Sequence, residues 1–268
     1  LNSVNRFHLY HKSVKPTMKS LQFSFCLLLV TTLSQAATVI SYTATADPNN
    51  NPDGTITAGG SGSTNVWTRS TSGTAGSFSG NSADNGDGNG AGAGNPAWGI
   101  WSNLGGVSNT VHTFAGGALG PNQLLELDFD NGSVDLGATV GVSLWNASNQ
   151  NLFEFFFVGG AANYSKNDLG GTVSTSKGYT DDGFKFSFLL NSATTYSADL
   201  GGTSLSGSLL NPGSQDITQI RVFTANNNGG APRDVFFNNL SITSVPEPSR
   251  ALLFFGGVLF AVTRRRRP

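Results

Sequence analysis

Phe184-Lys185-Phe186-Ser187-Phe188-Leu189-Leu190 places a ring at every second position, with polar residues between. Side chains alternate across a strand, so this period of two gives one ring-bearing face and one wet face, as in an antiparallel strand with one solvated side. Outward from it the same texture recurs in Val39 to Ala44, Leu124 to Phe129, Val140 to Trp145, Leu152 to Val158, Thr195 to Leu200, Ile217 to Thr224 and Val235 to Ile242. Clusters of Gly, Asn, Asp, Ser or Pro separate these runs. Short strands punctuated in this way predict an all-β protein, an antiparallel β-sandwich or barrel. Phe153 to Val158 is apolar on both faces beyond Glu154, which predicts a central strand. In Trp98-Gly99-Ile100-Trp101 the two indoles take opposite faces, which leaves one of them exposed.

Composition supports the same class. The chain has 268 residues, 35 of them Gly, with one Cys and one Met, and 12 % are charged. That is about half the usual charged share of roughly 25 %, and it argues against a coiled coil, a helical bundle and charge-driven disorder. The net charge of −1 hides a segregation. Between residues 37 and 245 the six cations Arg69, Lys166, Lys177, Lys185, Arg221 and Arg233 stand against fifteen Asp and Glu, a net of −9. An acidic body of this kind does not attract nucleic acid. From Gly54 to Gly94 the chain turns to Gly, Ser, Thr, Asn and Ala, which reads as long loops around strands near Trp67 and Phe78. Residues 37–244 suit one domain.

The two ends read differently from the body. Met18 and Lys19 precede the apolar run Leu21 to Leu33 and then Ser34-Gln35-Ala36. This is the pattern of a secretory signal peptide, with cleavage between Ala36 and Ala37 and signal peptidase as the partner. Residues 1–17 are then a lengthened basic leader or an over-extended start before Met18. Cys26 lies inside the apolar run, so the mature chain would have no thiol chemistry and no disulfide. At the other end Val245-Pro246-Glu247-Pro248-Ser249-Arg250 precedes the apolar run Ala251 to Val262, Thr263 and Arg264-Arg265-Arg266-Arg267. The prolines prevent a helix from continuing upstream, so a transmembrane helix would start near Ser249 as its N-cap, with the arginines held in the cytoplasm. Its 12 to 15 residues would cover about 18 to 23 Å of a ~30 Å hydrocarbon core, which suits a transient anchor.

These last 24 residues, from Val245 to Pro268, resemble the PEP-CTERM sorting tail of exported bacterial proteins. The resemblance implies recognition by an exosortase, a membrane-embedded sorting enzyme, with cleavage near Pro246-Glu247-Pro248. It further implies release or transfer to the surface of a Gram-negative, exopolysaccharide-forming cell. Arg250 departs from the small polar residue usual there. The body is similar to concanavalin-like or jelly-roll sandwiches found upstream of such tails, carried by Ala97-Trp98-Gly99-Ile100, Leu124 to Asn131, Phe153 to Gly160 and Asp234 to Thr243.

Three constellations bear on chemistry. Glu126, Asp128 and Asp130 occupy alternate positions of one strand and share a face. They are similar to the E-x-D-x-E strand of laminarinase-like β-glucanases, with Asp130 one methylene shorter than the expected Glu. That resemblance implies Glu126 as nucleophile, Asp128 as its tuning group and Asp130 as general acid and base. The stronger reading is a solvent-facing acidic edge opposite core Leu125, Leu127 and Phe129, with Asn131-Gly132 turning the chain after Asp130. Asn85, Asp87 and Asn89 copy the first half of a calcium loop, but Pro96 stands where the bidentate Glu belongs, so a polar loop is the stronger reading. Asp168, Asp181 and Asp182 are further oxygen donors. His112 is the single His of the body, expected on an exposed strand face, which excludes a multi-His metal centre. No G-x-S-x-G elbow, Walker loop or dinucleotide fingerprint occurs.

The sequence therefore predicts an exported, non-enzymatic β-sandwich at the cell surface or in the exopolysaccharide matrix, with exposed rings available to stack on glycan. A glycan hydrolase using Glu126 and Asp130 is the alternative from another class, and a purely structural matrix protein is the third. No cofactor is expected.

Overall fold

A computed structural model describes residues 37–44, 55–57, 66–86 and 93–245. The signal segment, the sorting tail from Pro246 onward, Asp87 and Asn89 lie outside the described residues. Among those described, no helix is long and apolar enough to cross a membrane.

The chain forms strands β1 (Ala37–Tyr42), β2 (Thr55–Thr57), β3 (Val66–Ser72), β4 (Ala75–Gly80), β5 (Ala97–Ser102), β6 (Val107–Thr113), β7 (Gln123–Asn131) and β8 (Thr139–Trp145). There follow β9 (Asn151–Val158), β10 (Asn163–Asp168), β11 (Gly171–Gly178), β12 (Phe184–Leu190), β13 (Thr195–Leu200), β14 (Ser204–Ser208), β15 (Gln219–Ala225) and β16 (Val235–Ser244). The first sheet runs β14-β13-β12-β7-β16-β5-β4, with β1 also paired to β16. The second runs β11-β10-β9-β8-β15-β6-β3-β2. All the pairings are antiparallel.

The two sheets form a sandwich because their ring-bearing faces need each other. Phe184, Phe186 and Phe188 of β12 point inward and are buried, while Lys185 and Ser187 point out. Across the interface Phe153 stacks on Phe186 at 6.2 Å and meets Phe188 at 5.2 Å, and Phe129 meets Phe155 edge-on at 5.4 Å. Each such ring contributes about 1.5–3 kcal/mol by leaving water. As its two apolar faces require, β9 lies inside its sheet between β10 and β8. At the open side of the sandwich Lys166 of β10 reaches Asp168 at 2.6 Å and the Ser206 carbonyl of β14 at 2.9 Å, while the Tyr196 hydroxyl of β13 donates to the same carboxylate. This polar clamp fastens one sheet to the other.

Three expectations are corrected. His112 is fully buried, against Tyr42 at 4.3 Å and Trp67 at 5.0 Å. The alternation of Val111 to Phe114 is real, but His112 and Phe114 form its inward set. Neither ring nitrogen has a hydrogen-bond partner, and burial pushes the imidazole down to about 4, so the ring packs as a neutral aromatic. The chain does not turn at Asn131-Gly132 straight after Asp130: β7 includes Asn131, whose side-chain oxygen accepts the Tyr164 hydroxyl. Finally, Asp130 does not face solvent with Glu126 and Asp128, because it is fully buried.

Candidate functional site

The outward face of the first sheet is built from cross-strand rows that the register fixes. Leu124 pairs with Leu189, Leu189 with Ser197, and Ser197 with Ser206. The next row is Glu126, Ser187, Asp199 and Ser204. A third joins Asp128 to Lys185 on one side and to Asn238 on the other. The three predicted carboxylates thus do stand on one strand face, with Leu125, Leu127 and Phe129 buried behind them.

Their surroundings separate them. Lys185 is half-exposed and lies 3.8 Å from Glu126 and 3.9 Å from Asp128. Ser187 donates to Glu126 at 3.4 Å, and the Asn239 amide donates to Asp128 at 2.6 Å. Asn239 can turn that way because β16 bulges there and its backbone takes φ 51°, a left-handed conformation Asn tolerates. Asp130 is different. It is fully buried and accepts the Asn85 side-chain amide at 2.8 Å. Asn85 closes a short 3-10 turn, Ser82–Asn85, that sits against this end of β7. The carboxyl of Asp130 therefore does not share the solvated surface of Glu126, and Asn85 is engaged inward with Asp130. Asp168 is held in the Lys166 clamp, while Asp181 and Asp182 lie in the exposed turn before β12. Among the described residues no group of three or more His, Cys, Asp or Glu is arranged to hold a metal ion.

The first two rows enclose a groove of about 500 Å³ lined by Leu124, Leu189, Ser187, Ser197, Asp199 and Ser206. At the far end of the same face is a pocket of about 410 Å³ lined by Phe78, Trp101, Asn103, Gly230, Ala231 and Asp234. Trp98 is buried and Trp101 is the outward indole, as the opposite-face argument requires. Two strand glycines make the room. A Cβ at Gly76 would lie 2.7 Å from the Trp101 indole nitrogen, and one at Gly99 would lie 2.6 Å from the Phe78 ring. The rings therefore lie over bare backbone, with Phe78 braced edge-on by Phe236 at 5.4 Å. Beside them the Asp234 carboxyl is only partly solvated, and burial pushes it up to about 7. An aromatic shelf next to an amide and a carboxyl that exchanges a proton near neutrality can stack on an apolar ring face and hydrogen-bond its rim. Asp234 and Asn103 were not foreseen. The pairing of strand Gly with aromatic residues two positions on, Gly76 with Phe78 and Gly99 with Trp101, was the available signal.

No family model matches the chain, and no curated protein does. Solved structures do. The carbohydrate esterase of the Shiga toxin-encoding bacteriophage phi24B is 12 % identical with a TM-score of 0.51, over 79 % of this chain and 100 % of that one. An alginate lyase of polysaccharide lyase family 7 is 11 % identical with a TM-score of 0.43, over 56 % and 81 %. A sialidase is 9 % identical with a TM-score of 0.43, over 56 % of this chain and only 16 % of its own. At these identities the likeness to the esterase shows the fold alone, an antiparallel two-sheet sandwich consistent with a jelly roll.

Proposed function

We propose that residues 37–244 are the non-catalytic, glycan-contacting body of an exported protein of the cell surface or extracellular matrix. Signal peptidase would remove the leader, and an exosortase-like enzyme would process the tail at Pro246-Glu247-Pro248 after transient membrane anchoring. The observation that carries the glycan reading is the Trp101 shelf, an outward indole laid on Gly76 beside Asn103 and Asp234. Sugars offer apolar C–H faces and hydroxyl rims, and this pocket offers a ring and polar groups to match. Buried position sets Asp130 apart from Glu126, which weighs against a two-carboxylate hydrolase. Such enzymes need both groups on one substrate, about 5 Å apart when retaining and up to ~9.5 Å when inverting.

The test is retention of the full-length chain on immobilised β-glucan, cellulose and chitin. The expected result is retention on at least one of them that Trp101→Ala abolishes without changing the melting temperature. Retention indifferent to Trp101→Ala, or absent on all three, would overturn the reading. For the sorting step, Pro246→Ala with Glu247→Ala should leave full-length protein in the membrane fraction; unchanged release would refute it.

A further inference from the structure

We infer that the Trp101 pocket prefers glycans that carry free amino groups, a de-N-acetylated hexosamine whose ammonium is held between the Asp234 carboxylate and the aromatic rings. The inference rests on the reading of that pocket as glycan-contacting and names the class of sugar it takes.

The place of Asp234 follows from the register. Val235 pairs with Ile100 and is buried in the core, while Phe236 pairs with Gly99 and meets Phe78 on the outward face. One residue before Val235, Asp234 has extended backbone, φ −69° and ψ 147°, so it stands level with Trp101 and on the outward side. Its backbone carbonyl accepts the Gly132 amide at 3.1 Å, which holds the chain in that line. Carboxyl and indole thus line one pocket.

What the carboxyl lacks is a donor. Among the described residues no side chain hydrogen-bonds it, and burial acts on it unopposed, which pushes it up to about 7. Its charged neighbours are engaged or turned to water. Arg233, the adjacent residue, binds Asp135 at 2.8 Å, and Asp130 on β7 accepts the Asn85 amide at 2.8 Å. Asp84 of the 3-10 turn is exposed, and β4 and β5 contain no charged residue. The side-chain amide of Asn103, in the same pocket, also has no protein partner among the described residues.

These facts select the ligand's charge. A partly desolvated carboxylate without a donor is best satisfied by a cation that brings its own N–H groups, and aromatic faces attract the same cation. A metal ion fits poorly, because a single carboxylate supplies too few oxygen ligands. A uronate would be repelled, and a sugar hydroxyl would leave the charge uncompensated. An amino sugar meets each feature: its C–H face stacks on Trp101, its ammonium pairs with Asp234, and a hydroxyl reaches Asn103. Because the site keeps some contact with water, the lower end of a charge-assisted hydrogen bond applies, about tenfold in affinity.

The experiment is calorimetric titration of the full-length chain at pH 7 with β-1,4-linked trimers of glucosamine and of N-acetylglucosamine. The glucosamine trimer should bind about tenfold more tightly. Asp234→Asn, which keeps the shape and removes the charge, should bring its affinity down to that of the acetylated trimer without lowering the melting temperature. Asp216→Asn, which removes an exposed carboxylate from the loop before β15, should leave the preference intact and so excludes general attraction to an acidic body. Lowering the pH from 7 to 5 should erase the preference, since Asp234 then takes up a proton while exposed carboxylates stay ionised. Equal affinities at pH 7, or a preference that survives Asp234→Asn, vanishes in Asp216→Asn or persists at pH 5, would overturn the inference. Trp101-dependent binding of the acetylated trimer would then leave the pocket reading in place. No binding of either trimer, or binding of both that persists in Trp101→Ala, would overturn the pocket reading and the inference with it.

Discussion

Lys166→Met removes the cation from the clamp that closes the sandwich, and its cost can be worked out from the contacts. Asp168 is 3 % exposed and accepts Lys166 Nζ at 2.6 Å, the Tyr196 hydroxyl at 2.6 Å and the Gly170 amide at 2.9 Å. Without Lys166 a carboxylate stays buried with two neutral donors. Removing one partner of a buried ion pair costs about 3–5 kcal/mol. Lys166 keeps 15 % exposure, so water relieves part of this and the lower end, about 3 kcal/mol, applies. At ~2–4 °C per kcal/mol for a domain of this size, the melting temperature should fall by roughly 6–12 °C. The pH dependence has a definite sign. Burial alone would raise the pKa of Asp168, but the hydrogen bonds from Lys166, Tyr196 and Gly170 and the Lys166 charge together hold it below the usual value. A depressed carboxylate contributes stability above its unfolded pKa of ~3.9 and loses it as pH falls through the folded value. Melts from pH 7 to pH 2.5 should therefore show a gap between wild type and variant that narrows in acid. Adding Asp168→Asn should restore more than half of the loss, because no buried charge is then left unpaired. A loss below about 0.5 kcal/mol at pH 7, or a gap that does not narrow, would refute the reasoning.

Two further outcomes are expected. His112 is neutral in the core with its pKa pushed to about 4, below its unfolded value, so the protein should lose stability as pH falls from ~6.5 toward 4, by about 3 kcal/mol at 1.36 kcal/mol per unit. His112→Phe should flatten that part of the pH–stability profile, and an unchanged slope would contradict its buried, neutral state. For the carboxylate strand, incubation with β-glucan should release no reducing ends from either wild type or Glu126→Gln; release by wild type that the substitution abolishes would establish the hydrolase instead.

Much of the fold is written in period-two patterns, and what escaped them has physical reasons. Phe184–Leu190 and Thr195–Leu200 are strands with the bounds their alternation predicts, because each has one buried face. β11 and β14 went unseen. They end their sheets, bury little, and are composed of Ser, Thr, Gly and few apolar residues, so no hydrophobic pattern marks them. Alternation also says which residues share a face without saying which face is inside. For Leu124 to Phe129 the apolar set settled the choice correctly. For Val111 to Phe114 both sets are half apolar, and a polar ring was placed outside although its partners Tyr42 and Trp67 come from distant strands. The fate of Asp130 depended on Asn85, 45 residues away, whose amide covers it. Likewise the Trp101 shelf needed the pairing of β4 with β5 to set Gly76 beneath the indole. Sites assembled from strand neighbours become legible only once the register is known.

The claim that the outward face of the first sheet meets glycan is tested most directly by a crystal structure of the chain with a bound β-glucan oligosaccharide. The expected density is a sugar ring stacked on the outward face of Trp101, with hydroxyls directed to Asn103 and Asp234. Sugar bound on the opposite sheet, over Trp145 and Arg221, with Trp101 bare, would contradict it.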